Sequence, residues 1–231
     1  MGAFYGYQVV GLFQDADDIA KSPTQTDASP GLFKYKDVNN DGKIDDDDRT
    51  FLGDPNPKFT YGLNLSFTYK NFDFSSFFFG SAGNDIFNQT KYFTDFPDFF
   101  KGGIRREVAV NSWTPTNTNT SIPKLRTTGG FSSDGVTNSY FLSKGSYFRA
   151  KQIQLGYTIP TNILSKAGIE RVRIYVQALN LFTVTKYKGI DPELPSQPDS
   201  NGNIPVTNLF GIDQATYPHT AAFLFGINVN F

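Results

Sequence analysis

Phe59-Thr60-Tyr61-Gly62-Leu63-Asn64-Leu65-Ser66-Phe67-Thr68-Tyr69-Lys70 decides the reading of the chain. Side chains alternate across a strand with a period of two. Phe59, Tyr61, Leu63, Leu65, Phe67 and Tyr69 therefore share one face, and Thr60, Gly62, Asn64, Ser66 and Thr68 the other. Helical spacing would scatter both sets. Four further runs follow the pattern less cleanly: residues 3–13, 72–80, 146–159 (apolar Ile153, Leu155, Tyr157, Ile159) and 171–182 (Val172, Ile174, Val176, Ala178); residues 221–231 make a sixth, with Phe223, Phe225, Ile227, Val229 and Phe231 alternating with Leu224, Gly226, Asn228 and Asn230. These runs last about 9 to 13 residues, whereas a soluble strand averages about 5 to 6. A 10-residue strand rising about 3.4 Å per residue and tilted about 40° spans about 25 Å, the apolar band of an outer-membrane barrel. In the first run the aliphatics are central and the rings lie at both ends, as interfacial girdles require. The rival reading is an antiparallel sandwich with one face on its own core, which also alternates.

Composition agrees with alternation. Of 231 residues, 24 are Phe, 12 Tyr and one Trp, yet only 19% are charged, so many rings are interleaved with small polar residues. No stretch approaches the roughly 18 consecutive apolar residues of a membrane helix. A net charge of -1 gives no electrostatic footprint for nucleic acid. The absence of cysteine excludes disulfides, thiolate zinc sites and cysteine nucleophiles, and a single histidine, His219, excludes chemistry needing two imidazoles. The first residues have neither the basic nor the apolar segment of a secretory leader.

Asn71 joins two runs almost without a spacer, whereas residues 81–145 and 191–218 form long insertions, an asymmetry expected of a barrel. Within the first insertion, residues 98–112 are expected to hold a short helix with Ile104, Val108 and Asn111 on one side. Residues 15–21 suit one helical turn, and 160–166 a turn between strands.

The strongest local motif runs from Asp37 to Asp48, DVNNDGKIDDDD. A 12-residue calcium loop places oxygen ligands at positions 1, 3, 5, 7, 9 and 12, with glycine at 6. Here these are Asp37, Asn39, Asp41, the Lys43 carbonyl, Asp45 and Asp48, with Gly42 at the turn. Asp replaces the usual Glu at 12 and no amphipathic helix precedes the loop, so the expectation is an isolated structural calcium turn. Catalytic signatures are poor. Ser121-Ile122-Pro123-Lys124 fits S-x-x-K, but Pro123 prevents the helix that chemistry needs. Asp95 and Asp98 could pair as carboxylates for hydrolysis, yet no general acid is placed opposite them.

These residues resemble the C-terminal barrel of the SusC/RagA class of TonB-linked outer-membrane transporters. The resemblance is carried by the calcium-like turn running into Leu52-Gly53-Asp54-Pro55-Asn56-Pro57-Lys58-Phe59, then Lys70-Asn71-Phe72-Asp73-Phe74 and Gly80-Ser81-Ala82-Gly83. It continues in Tyr147-Phe148-Arg149-Ala150-Lys151, Leu155-Gly156-Tyr157, Asn180-Leu181-Phe182-Thr183, Tyr187-Lys188-Gly189-Ile190-Asp191-Pro192-Glu193 and Phe225-Gly226-Ile227-Asn228-Val229-Asn230-Phe231. It implies an all-β, antiparallel chain spanning 1–231, the last section of a large transmembrane β-barrel, without enzymatic activity. It also implies an outer-membrane location and import of a glycan or peptide with a SusD-class lipoprotein. The family's plug and TonB-engaging segment are absent from these residues, and six strands fall short of the roughly 22 of a large barrel. The expectation is therefore a fragment or split gene product that works with the remainder of barrel and plug, surrounded by outer-membrane lipid. The terminal Phe231 of an alternating strand resembles the signal read by barrel-assembly machinery. The alternative is a soluble secreted calcium-stabilised β-sandwich that binds carbohydrate through exposed aromatics.

Overall fold

The computed structural model describes residues 2–97, 102–126, 135–164, 168–194 and 210–231. Its strands, in chain order, are β1 (Phe4–Gly6), β2 (Val9–Leu12), β3 (Phe33–Tyr35), β4 (Thr50–Gly53), β5 (Phe59–Tyr69), β6 (Phe72–Ala82), β7 (Asp85–Asn88), β8 (Leu142–Lys144), β9 (Tyr147–Thr158), β10 (Arg171–Leu179), β11 (Thr183–Thr185), β12 (Ile212–Asp213) and β13 (Ala222–Asn230). Four short helices join them: α1 (Ala16–Ala20), α2 (Lys91–Thr94), α3 (Arg106–Asn111) and α4 (Thr161–Leu164). The chain divides into two compact units, Met1–Asn56 with Asp85–Ser143 and Leu194–Ala215, and Pro57–Asn84 with Lys144–Glu193 and Thr216–Phe231.

The second unit is built on one antiparallel sheet in the order β13-β10-β9-β6-β5, with β11 continuing along β9. The β5–β6 hairpin turns at Lys70-Asn71, where Lys70 takes a left-handed φ of 55°. Register carries the alternation across all five strands. Leu63 faces Phe78, Leu65 faces Ser76, and Phe67 faces Phe74. Phe74 faces Leu155, Leu155 faces Val176, and Val176 faces Phe225. One face is thus apolar across the five strands, with Ser76 the polar side chain set within it. Rings gather at both strand ends: Tyr61, Phe78 and Phe148 at one, with Phe148 5.5 Å from Phe78, and Phe72 against Tyr157 at 4.7 Å at the other.

That apolar face is open. Leu65 is 46% exposed and Phe225 83%, so no second sheet covers it among the described residues, and the sandwich alternative fails on this point. Burying such side chains in water-free surroundings is worth about 1.5–3 kcal/mol each. A single sheet has no core of its own in which to collect that energy.

The expected run at 3–13 behaves differently. It breaks into β1, paired with β4, and β2, paired with β3, and sends Phe4, Tyr7 and Leu12 into the aromatic core of the first unit. Five of the six expected runs therefore build the sheet. That core also takes Phe33, Tyr35, Phe87, Phe96, Trp113 and Phe141. The described residues between 85 and 143 are accordingly not a plain loop, because Phe87, Phe96, Trp113 and Phe141 pack with rings of the first 56 residues and bury there. Asp15 caps α1, its carboxylate accepting from the Asp18 N–H at 2.8 Å, which places the expected helical turn one residue inside 15–21. The expected helix over 98–112 is confined to α3: residues 102–105 are not helical, as Gly102 and Gly103 favour, and residues 98–101 lie outside the described part. The turn at 160–166 includes α4, with 165–166 likewise outside.

Candidate functional site: the polar face and its ion pairs

The polar face carries Thr60, Asn64 and Ser66 on β5, Asp73 and Ser75 on β6, Gln154 on β9, Arg173 and Gln177 on β10, and Asn228 and Asn230 on β13. The polar set read from the first run, Thr60, Asn64 and Ser66, thus shares one face with Asn228 and Asn230, which alternate with the apolar residues of the last run. Its charges are paired across strands. Asp73 reaches over Gly156 on β9 to Arg173 on β10, which donates from Nε to Oδ1 at 2.8 Å and from Nη2 to Oδ2 at 2.5 Å. A Cβ at Gly156 would stand 2.5 Å from both partners, so the absence of a side chain there is what lets the fork close.

A β-bulge organises the other charged group. Phe77 pairs with Gln152 but Phe78 with Ala150, leaving Lys151 as the extra residue. Without it, strict alternation would put Arg149 and Lys151 on the same face as Ile153 and Leu155. The bulge reverses the phase, so Ala150 and Phe148 join the apolar face and Arg149 turns to the polar one. Arg149 is 3% exposed. It donates to Asp191 Oδ1 at 2.6 Å, to Glu193 Oε2 at 2.5 Å and to Thr183 Oγ1 at 2.7 Å. Lys151 Nζ meets both Glu193 oxygens at 2.6 and 2.7 Å. His219 closes the cluster, its backbone N–H and Nδ1 lying 2.9 and 3.0 Å from Asp191 Oδ2. Burial pushes the Asp191 carboxyl up, but the N–H groups of Glu193 and His219 and the Arg149 guanidinium outweigh burial and hold it below the usual carboxylate range. The cluster ties the segment after β11 to the bulge and to the start of the last strand. From the sequence, His219 is an interfacial or loop residue and not a base, and nothing there singles out Arg149 and Lys151 as members of its cluster. The one signal is a change of phase, since the apolar residues sit at even numbers up to Ala150 and at odd numbers from Ile153.

Asp95 is 1% exposed, and Arg105 binds it bidentately from Nε and Nη2 at 2.7 and 2.6 Å, with the Tyr140 hydroxyl donating at 2.7 Å. Every oxygen is occupied, which explains Asp95 as a core ion pair and not a base. Asp98 lies outside the described residues. Ser121 lies in a bend and Lys124 on irregular chain, neither of them on a helix.

The turn at 37–48 forms in the first unit. Gly42 has φ 85°, a conformation that favours glycine. Asp37 accepts from the N–H groups of Asn40 and Gly42 at 2.6 and 2.9 Å, Asn39 from Asp41 at 3.0 Å, and Asp41 from Lys43 at 3.0 Å. Asp48 is fully buried and accepts from Val38 and Asp45. Lys43 Nζ lies 2.6 Å from Asp45 and 3.6 Å from Asp41. That hydrogen bond raises the Lys43 ammonium pKa and lowers the Asp45 carboxyl. Among the described residues no three His, Cys, Asp or Glu side chains converge to hold a metal. The loop thus folds as a tight acidic turn whose carboxylates are turned to backbone donors and to Lys43.

An open, two-faced section of antiparallel sheet with an uncovered apolar side and a charge-paired polar side is the wall of a membrane barrel. No family model matches the chain. It is 37% identical over 234 residues to TonB-dependent receptor P3 of Formosa agariphila, a match covering 100% of this chain and 22% of that protein. It is 28% identical over 199 residues to TonB-dependent receptor SusC of Bacteroides thetaiotaomicron, covering 85% of the chain and 17% of the relative. The RagAB peptide importer in its open-open state shares the fold with a TM-score of 0.71 and 24% identity, over 99% of this chain and 22% of that one. The chain belongs to the SusC/RagA family of TonB-dependent receptors, which reside in the outer membrane, and it spans about a fifth of the length of the curated relatives it matches.

Proposed function

We propose that the chain forms part of the conduit wall of an energy-coupled outer-membrane importer. The apolar face of β5, β6, β9, β10 and β13 meets lipid, and the polar face lines the aqueous interior. The observation that carries this reading is the continuous register of one apolar and one polar face across five strands, with rings at both strand ends. Among the described residues β5 and β13 are the outer strands of the sheet and have no neighbour on their far side, and lipid cannot satisfy such backbone edges. The remainder of the barrel pairs with them. The cargo is a glycan or a peptide, received with a SusD-class lipoprotein, and TonB acts through a plug outside these residues. No bond-making chemistry is assigned to this chain. Deleting the gene of the whole protein should abolish uptake of the labelled cognate oligomer and leave uptake of its monomer unchanged. Undiminished oligomer uptake would overturn the importer reading.

The turn at 37–48 is proposed as a structural calcium site, with Asp37, Asn39, Asp41, the Lys43 carbonyl, Asp45 and Asp48 as ligands. Support comes from the left-handed Gly42 and from the full set of oxygen-bearing residues at the ligand positions; a bound ion would take the place of the Lys43 ammonium. Affinity of about 10⁻⁴ to 10⁻³ M is expected, as in extracellular modules. Calorimetry on the full-length protein should show binding that Lys43→Ala tightens and Asp41→Ala removes. Equal heats for wild type and Asp41→Ala would rule the site out.

A further inference from the structure

A wall built on a period of two leaves one freedom open. Sliding a strand by two residues past its neighbour returns every apolar side chain to the apolar face, so alternation fixes the face and not the alignment. The tight turn at Lys70-Asn71 removes that freedom for β5 and β6. The pairs β6–β9 and β10–β13 are joined through residues 83–146 and 180–221, so no tight turn sets their alignment.

One row across the sheet supplies what the turns do not. Asp73 on β6 faces Gly156 on β9, Gly156 faces Tyr175 on β10, and Tyr175 faces Gly226 on β13. Each glycine receives the side chain beside it. Asp73 crosses Gly156 to meet Arg173 with both carboxylate oxygens. Tyr175 lies across Gly226, where a Cβ would collide with Cζ, Cε1 and the hydroxyl of the ring. The Arg173 guanidinium, 5.0 Å from the ring centroid, ties that ring to the fork. A second joint follows the same rule on the apolar face: Tyr61 lies across Gly80, which a Cβ would likewise forbid, and stacks on Phe148 of β9 at 6.2 Å and 11°. Glycine weakens a strand interior on its own account. Its place beneath both tyrosines therefore has another cause.

We propose that these tyrosine–glycine joints are alignment keys, which let β9 and β13 dock on the sheet in one register only. A slip of two residues sets Tyr175 against Leu224 or Asn228, whose Cβ atoms occupy the seat of the ring. The same slip between β6 and β9 sets Gly80 against Ser146 or Ala150 and breaks the Tyr61–Phe148 stack. The penalty falls on the wrong alignments, which is how specificity is gained where lipid-facing contacts are alike in every register.

The test follows strand pairing in the full-length protein, assembled in its native outer membrane with background thiols removed. Directly opposed Cβ atoms stand about 4.5–5.5 Å apart, and those displaced by two residues stand farther, beyond the reach of a disulfide. Val176 faces Phe225, so cysteines in place of this pair should oxidise to a disulfide, and cysteines in place of Val176 and either Phe223 or Ile227 should not. Tyr175→Ala removes the ring and should let the displaced pairs form as well. Gly226→Ala keeps the ring and fills its seat, so the amount of protein assembled in the membrane should fall about tenfold. Adding Tyr175→Ala to Gly226→Ala should restore assembly. A disulfide confined to the Val176 and Phe225 positions in Tyr175→Ala overturns the key, as does normal assembly of Gly226→Ala or a loss that the second substitution does not restore.

Discussion

Leu65→Arg should destabilise the assembled barrel by about 2–4 kcal/mol, the cost of a guanidinium at the bilayer midplane, while Asn64→Asp one residue earlier should cost little. The two positions are adjacent on β5 and differ only in the face they occupy. Leu65 faces Ser76 in the row that continues to Ile153, Ala178 and Phe223, and Asn64 faces Phe77 on the opposite side. Urea unfolding of the full-length protein in lipid vesicles measures the difference. Equal tolerance at both positions would mean that the apolar face does not meet lipid.

The second large effect concerns Arg149. Removing one member of a buried ion pair leaves its partner charged and desolvated, at a cost of about 3–5 kcal/mol. Arg149→Ala should therefore weaken folding in the same assay far more than Lys151→Ala, because Lys151 keeps about a quarter of its side chain in solvent and surface pairs are worth about 0–1 kcal/mol. The cluster also predicts acid sensitivity. The Asp191 pKa is lowered by folding, so its contribution is present above the ordinary carboxylate value and fades as pH falls through the lowered one. Arg149→Ala should make that acid limb shallower, with the Glu193 and His219 N–H groups retaining part of it. An unchanged limb would show that Asp191 is held by other partners.

Much of the wall was legible because a period-two pattern in a sheet is also a contact rule. Leu63 and Leu65 announce their face, and every in-register neighbour follows. The exceptions have physical causes. Residues 3–13 alternate as well as a wall strand does, but alternation says only that one side is apolar, not whether lipid or a protein core receives it. The pairing of Tyr7 with Tyr35 at 5.1 Å is a long-range contact that no local pattern encodes. Residues 81–145 read as a loop because their helices are only four to six residues long, too short to show periodicity. Strand β7 is equally short, at four residues. The Arg149 cluster was hidden because Asp191 and Glu193 lie more than 40 residues away from it in sequence. Only the phase change at Lys151 hinted that a charged pair turns inward.

The most direct measurement of the central claim is a thiol scan along β5. Single cysteines would be placed at each position from Thr60 to Thr68 of the full-length protein, with background thiols removed. A membrane-impermeant maleimide would then be applied to the native outer membrane. Reaction should alternate with a period of two, fast at Thr60, Asn64, Ser66 and Thr68 and slow at Tyr61, Leu63, Leu65 and Phe67. Uniform labelling, or faster reaction at Leu63 and Leu65 than at Asn64, would contradict a wall with one face in lipid and one in water.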